Sequence, residues 1–133
     1  MATYDAERGR EHLMETLGNI PPSLKTMMDH APEHFAGYLQ FREAVYRTPE
    51  QGAHLDIKTK ELVYVLLDVA VRNLDGAKNH ARAAMKAGVT AGEIMEGCMQ
   101  VMHVFGVATW GMVGAELVEF CADIERSGDV KGG

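Results

Sequence analysis

Cysteine and clustered positive charge are both scarce in this sequence, and each shortage argues against a class of function. Cys98 and Cys121 are the only cysteines among 133 residues, and they do not form a Cys-x-x-Cys pair. Two distant thiols in apolar helical patterns do not indicate a disulfide framework and are typical of a reducing cytoplasm. The formal net charge is -6, which argues against a nucleic-acid partner because neutralising phosphates requires clustered Lys and Arg.

Long apolar segments and cofactor motifs are lacking as well. No apolar run approaches the roughly 20 residues that a helix needs to cross a bilayer, and the first residues, MATYDAERGREH, contain no hydrophobic signal core. The sequence has no HExxH, no G-x-S-x-G and no glycine-rich phosphate loop. We therefore expect a cytoplasmic protein with no membrane partner, no metal and no cofactor.

Helical periodicity dominates what the sequence does contain. It predicts an all-α fold, a compact bundle of about six to seven helices in a single domain over residues 1–133. The core is expected over about 31–125, with a disordered tail over 127–133. The predicted helices cover about 5–18, a short segment ending near 30, then about 32–46, 57–72, 76–87, 90–104 and 107–125, with a loop over 47–55.

Several of these helices have recognisable starting residues. Pro32 suits the first turn of its helix, because the missing N–H has no partner there in any case. Asp56 and Asp75 are predicted to cap the helices that follow them. Thr90 and Glu93 form a T-x-x-E capping box, which marks another helix start.

The predicted helix 57–72 is apolar nearly all round, so we expect it to be central. Glu61, Asp68 and Arg72 nevertheless fall within roughly 20° of one direction at about 100° per residue. This charged stripe has two interpretations. It faces solvent, with Asp68 and Arg72 as an ordinary i,i+4 pair, or it carries function, an interpretation that suits Glu61 better than the other two.

His80 lies on the inner side of the next predicted helix. Lys78, Arg82 and Lys86 repeat every four residues and predict the solvent face, whereas His80 aligns with small residues, Ala77, Ala84 and Ala87. A histidine among alanines leaves room for a neighbouring side chain or a ligand, and an imidazole beside a carboxylate suits proton transfer. The alternative is a core histidine whose ring N–H donates a hydrogen bond to a backbone carbonyl, and spacing alone favours that alternative.

His103 shares a helical face with Glu96 and Gln100. That face is most simply solvated, but it could line a pocket because Met99 is also a neighbour. A metal site built from His80, His103 and Glu61 is a weaker option, since no reliable metal-ligand spacing occurs.

Four sequence segments resemble the carboxymuconolactone decarboxylase and alkylhydroperoxidase D family. They are APEHFAGYLQFREAVY, LDIKTKELVYVLLDVAV, NHARAAMKAGVTAGEIMEG and FGVATWGMVGAELVEF, and they span about two thirds of the chain. The most specific part runs from His80 through Ile94. The resemblance implies a helical protomer that assembles as a trimer, hexamer or larger ring, with sites near the subunit interfaces.

The resemblance also implies which residues carry chemistry. In the peroxidase branch a glutamate precedes a Cys-x-x-Cys pair and a histidine follows it; Glu61 and His80 occupy the glutamate and histidine positions, but Asn73 and Gly76 replace the cysteines. Thiol peroxidase chemistry needs a thiolate and a resolving partner, so it is disfavoured. The decarboxylase branch lacks these cysteines and keeps a histidine before the G-V-T stretch, although Glu61 is closer to the peroxidase pattern.

We therefore hypothesise a cofactor-independent carboxy-lyase or proton-transfer enzyme acting on a small carboxylated lactone or carbonyl substrate. His80 would be the general acid/base and Glu61 would orient it or relay its proton. Arg72 could hold a substrate carboxylate, Asn73 could donate to the developing oxyanion, and His103 could line the pocket. Two rivals stay open: a redox protein that uses Cys98 as a lone thiol, and a non-catalytic small-molecule binder.

Overall fold

The computed structural model describes residues 3–128, and within that range the chain folds into seven α-helices and no strand. The predicted all-α fold is confirmed. The helices form two compact units, one up to His54 and one from Leu55 onwards. The single domain over 1–133 stays a prediction. The helix bounds are Ala6–Leu17 (α1), Pro22–His30 (α2), Pro32–Val45 (α3), Ile57–Ala70 (α4), Leu74–Lys86 (α5), Ala91–Phe105 (α6) and Ala115–Ser127 (α7).

The first unit packs α1 and α2 against α3. Leu13, Phe35 and Leu39 are fully buried at its centre. Gly9 allows the close approach of α1 to α3, because a Cβ at that position would lie 2.9 Å from the Cβ of Leu39. The predicted loop after α3 contains a short 3-10 helix, Pro49–Gln51.

A buried polar cluster lies beside this core. One terminal nitrogen of Arg42 donates to Nε2 of His12 at 2.9 Å and to the hydroxyl of Thr16 at 2.7 Å, and the other donates to the hydroxyl of Tyr46 at 2.9 Å. Arginine has no acceptor atom, so Nε2 of His12 must accept, and the neutral ring carries its proton on Nδ1. Burial and the charge of Arg42 lower the pKa of His12, partly opposed by Glu43 and Glu15.

The second unit is built around α4, which packs against α5 and α6. Its apolar core joins side chains from α4 to α7: Val65, Val69, Ala77, Ala81, Ala84, Ile94, Cys98 and Leu117. Between α6 and α7 the chain turns at Gly106, whose φ of 99° suits glycine. It then forms a π-helical turn, Trp110–Gly114, that leads into α7.

The starts of α4 and α6 agree with the sequence, and the start of α5 does not. The Asp56 side chain accepts from the backbone N–H of Thr59, and Thr90 with Glu93 forms the reciprocal capping box at α6. The prediction that Asp75 caps α5 is wrong: Asn73 is the cap, and Asp75 lies inside the first turn. Both residue types favour caps, so the sequence alone did not distinguish them.

Only part of α4 is buried, contrary to the expectation of a central helix. Val63, Leu67 and Val71, spaced four residues apart, are 43%, 57% and 72% exposed. The end of α6, the residues that follow it and the π-helical turn add further exposed apolar side chains, Val104, Phe105, Val107 and Met112. We call the set on α4 the apolar stripe. It is an unusual surface for a protomer that stands alone.

No helix within residues 3–128 has the length and apolar character that crossing a membrane requires. Ser127 ends α7 and Gly128 follows it. The remainder of the tail predicted over 127–133 lies outside the described residues.

The His12–Arg42 contact predicts a pH-dependent stability. The folded state resists protonation of His12, whereas the unfolded chain takes up a proton near pH 6.5. The free energy of unfolding should therefore fall as the pH drops through about 6.5, by at most about 1.4 kcal/mol per pH unit for one proton. This loss should stop once the pH lies below the pKa of folded His12.

Urea unfolding followed by circular dichroism at pH 7.5, 6.5 and 5.5 measures the effect. His12→Gln keeps an acceptor but does not titrate, so its unfolding free energy should fall less over this range than that of the wild type. His34→Gln, at an exposed position, is the matched control. Equal slopes for the wild type and His12→Gln would contradict the assignment.

Candidate functional site

The candidate site contains a buried acidic side chain, that of Glu61. Glu61 occupies the second turn of α4, on the face that packs against α5, and is 1% exposed. A buried carboxylate is costly unless a cation or hydrogen-bond donors compensate it. Its position therefore requires polar neighbours on the facing helix.

His80 on α5 is one such neighbour. Its Nδ1 lies 3.5 Å from Oε1 of Glu61, and its side chain is 16% exposed. This separation is longer than a normal N–H···O hydrogen bond but within ion-pair range. The prediction that His80 points inward beside alanines fits the structure for Ala77 and Ala84, which are fully buried on the same helix. It is wrong for Ala87, which is exposed after the end of α5. One edge of the imidazole thus faces a buried carboxylate, while part of the ring remains accessible.

Tyr64 restricts the orientation of that ring. Its ring stacks on the imidazole, with centroids 4.6 Å apart and planes inclined by 24°. Tyr64 follows Glu61 by three residues on α4, so both side chains lie on one helix face. Tyr64 is not among the residues predicted from the sequence, although its i+3 spacing from Glu61 places both side chains on one helix face. We call these three residues the Glu61–Tyr64–His80 cluster.

Asp68 extends the same face of α4 by another turn. It is half-buried, and burial raises the pKa of its carboxyl group, an effect that the opposite charge of His80 and a hydrogen bond from Asn73 partly offset. The interpretation of Asp68 as part of a purely solvated stripe is therefore wrong. Asp68 belongs to the polar α4–α5 contact.

Asn73 and Gly76 bring Asp68 close to α5. The Asn73 side chain accepts from the backbone N–H of Gly76 at 3.1 Å, and its backbone N–H donates to the carbonyl of Asp68 at 2.8 Å. A Cβ on Gly76 would lie 2.5 Å from Nδ2 of Asn73 and 2.9 Å from Oδ2 of Asp68. A side chain at this position would have to displace the polar groups of Asn73 and Asp68, so glycine preserves their approach to α5.

The other predicted site residues lie outside this cluster. Arg72 follows α4 in a left-handed conformation, φ 61°, and is exposed. His103 is exposed in the last turn of α6. Of the five predicted site residues, the structure brings Glu61 and His80 into contact and places Asn73 at the start of the helix that carries His80. Their roles stay predictions.

The two thiols are poorly suited to redox chemistry. Cys98 and Cys121 are both free and buried. Burial raises the pKa of Cys98 to about 11, and burial together with the nearby Cys98 and Glu125 raises that of Cys121 to about 12. The thiolate is the reactive form of cysteine, so neither thiol is activated at neutral pH. This counts against the hypothesis of Cys98 as a lone redox thiol.

Metal binding finds no support in the described part of the chain. Among residues 3–128, no group of three or more His, Cys, Asp or Glu side chains is arranged to hold a metal ion. What the cluster can do is move a proton: an imidazole backed by a carboxylate and stacked on an aromatic ring has the composition of a general acid/base.

Comparison with known proteins identifies the family. The model of the carboxymuconolactone decarboxylase family matches residues 32–111. A solved crystal structure from Burkholderia xenovorans LB400, of a protein provisionally named carboxymuconolactone decarboxylase, is 32% identical in sequence. The alignment covers 94% of each chain with a TM-score of 0.87. No curated protein matched the sequence.

The family match covers more than half of the chain and includes both Glu61 and His80. The similar solved structure extends the same fold over nearly the whole length. The chain belongs to the carboxymuconolactone decarboxylase family.

Proposed function

We propose that this protein is a cofactor-independent enzyme that decarboxylates, or transfers a proton on, a small carboxylated lactone or carbonyl compound. The observation that carries the proposal is the contact between the buried carboxylate of Glu61 and the partly accessible ring of His80. Family membership and the absence of an activated thiol favour this chemistry over peroxide reduction.

The chemistry requires a proton at one particular step. When a carboxylate leaves as CO₂, the bonding electrons remain on carbon and form an enolate, which must then be protonated. His80 donates this proton as general acid, so its N–H bond breaks as the new C–H bond forms. Loss of the proton leaves a neutral imidazole that must be protonated again before the next turnover.

Glu61 and Tyr64 keep the imidazole in position for that step. The Glu61 carboxylate faces Nδ1 and favours a proton on that nitrogen, which directs Nε2 to the reacting carbon. Stacking on Tyr64 holds the plane of the ring. Preorganisation of this kind lowers the entropic cost of reaching the transition state.

Substrate binding is assigned to three further residues. The guanidinium of exposed Arg72 suits a substrate carboxylate. Asn73 has two side-chain N–H groups, of which its bond to Asp68 uses one, so the second can donate to an oxyanion. His103, exposed at the end of α6, completes the pocket in this proposal.

The protein acts as a homo-oligomer, a trimer or hexamer, in the cytoplasm. The apolar stripe of Val63, Leu67 and Val71 supports self-association, because contiguous exposed apolar surface marks interaction sites. It lies on α4, the helix that carries Glu61. Association of copies through this helix would therefore enclose the region around the cluster.

A non-catalytic small-molecule binder is the second candidate function, because the fold alone does not establish turnover. Both candidates use the same cluster. They differ in whether a bound lactone acid is released unchanged or with loss of CO₂.

The first prediction concerns turnover of 4-carboxymuconolactone, the probe suggested by the family name. His80→Gln should lower kcat by about 10²- to 10⁴-fold, the range for loss of a general acid/base, with the helical circular dichroism spectrum unchanged. His54→Gln, at an exposed position in the first unit, should retain the wild-type rate. Equal rates for His80→Gln and wild type would remove His80 from the mechanism.

The second prediction concerns assembly. Leu67→Glu places a charge at the centre of the apolar stripe and should reduce the molar mass measured by light scattering after size exclusion to that of a 14.6 kDa protomer. Gln40→Glu, at an exposed position on α3 in the first unit, adds the same charge away from the stripe and should leave the mass unchanged. A wild-type protein that elutes as a monomer at micromolar concentration would refute the assembly.

A further inference from the structure

The α4–α5 contact contains a second acid, Asp68, whose charge interacts with that of His80. Glu61, Tyr64 and Asp68 follow one another at i, i+3 and i+7 on α4, so all three lie on the face that meets α5. Glu61 accounts for one side of the imidazole. The proposed mechanism gives no role to Asp68, which lies further along α4 on the same face.

Helix geometry brings this second acid towards the ring of His80. Side chains on a helix lean towards its N-terminus, so the His80 ring leans towards the turn that begins at Gly76. Oδ2 of Asp68 lies beside Gly76, 2.9 Å from the position that a Cβ would occupy. The two groups therefore face the same part of the α4–α5 contact, and their charges interact.

Asp68 also differs from Glu61 in its access to solvent. Glu61 is sealed from solvent, whereas Asp68 is half-buried. Burial nevertheless raises the pKa of the Asp68 carboxyl group above the ordinary value for aspartate. A partly accessible acid that holds its proton more firmly than usual can exchange that proton with water, and water can pass it on to an imidazole across the contact.

We propose that Asp68 is the proton relay of the site, passing protons from solvent to His80. This inference rests on the proposed function. After His80 has given its proton to the enolate carbon, a solvent water molecule between the two groups donates a proton to the imidazole, which forms the new N–H bond. The same water takes the proton of Asp68 as the O–H bond of that carboxyl group breaks. The Asp68 carboxylate then takes a proton from solvent water. One solvent proton is consumed for each CO₂ released, so atoms and charge balance.

The groups around Asp68 fix what its titration should report. His80 on α5 carries the charge that stabilises the Asp68 carboxylate. Asn73, the cap of α5, donates a hydrogen bond to the same carboxylate. On and after α4, Glu61 lies on the same face and Arg72 is exposed. Removal of His80 should therefore raise the midpoint at which Asp68 titrates, while the hydrogen bond from Asn73 is kept.

The first arm of the test uses the protein alone. The ¹³C resonance of the Asp68 carboxyl carbon is followed against pH in the wild type, in His80→Gln and in the control His54→Gln. The midpoint for Asp68 should rise in His80→Gln and stay unchanged in His54→Gln. An unchanged midpoint in His80→Gln would show that the two groups are not coupled and would overturn the relay, whether or not the protein turns over any substrate.

The second arm measures turnover of 4-carboxymuconolactone. Asp68→Asn should lower kcat by about tenfold with KM unchanged, a smaller loss than the 100-fold or more expected for a direct general acid/base. Asp68→Ala should be partly restored by added formic acid, which carries protons in place of the missing carboxyl group. Asp75→Asn removes an exposed acid from the first turn of α5 and is the matched control.

The outcomes separate the two proposals. Wild-type kcat in Asp68→Asn overturns the relay, and so does a loss that formic acid does not restore, because a merely structural role would give that result. If the wild type does not turn over the lactone acid while the Asp68 midpoint does shift in His80→Gln, the proposed function fails. The coupling between Asp68 and His80 is then upheld.

Discussion

A carboxylate buried against an imidazole is the constraint on which the second unit depends. Glu61 is among the most buried side chains of the chain and lies 3.5 Å from the ring of His80. Replacing one partner of such a pair leaves the other uncompensated in a low-dielectric environment, which costs more than the pair itself contributes. The surrounding structure is consistent with this constraint: α5 is lined with alanines that let it approach α4, and Gly76 allows Asp68 and Asn73 to complete the contact.

α4 combines two roles on different faces. One face carries Glu61, Tyr64 and Asp68 into the contact with α5, and another exposes the apolar stripe. In the proposed function the stripe is covered by a second copy, so catalysis and assembly share one helix. This arrangement explains why the α4 sequence is apolar nearly all round although the helix is not central within a single chain.

Much of the architecture follows from local sequence signals. The capping box of Thr90 and Glu93, the cap at Asp56 and the proline at the start of α3 are short-range patterns, and each helix begins where its pattern predicts. Helical spacing also placed His80 on the inner side of α5. The start of α5 was misplaced because Asn73 and Asp75 are both good caps, and only the bond to Gly76 shows which one acts.

Features that depend on the approach of separate elements were not readable from the sequence. The stacking of Tyr64 on His80 and the half-burial of Asp68 arise only when α4 and α5 meet. The His12–Arg42 cluster joins residues thirty positions apart. Its residues form one i,i+4 pair at α1 and another at α3, and the sequence does not show that these two pairs meet.

The most direct test of the account is the tautomer of His80, read from its two ring nitrogen resonances in ¹⁵N-histidine-labelled protein. If the Glu61 carboxylate orients the imidazole, the neutral ring carries its proton on Nδ1 in the wild type and transfers it to Nε2 in Glu61→Leu. A neutral ring protonated on Nε2 in both proteins would contradict the account, because the buried carboxylate would then not determine which ring nitrogen carries the proton.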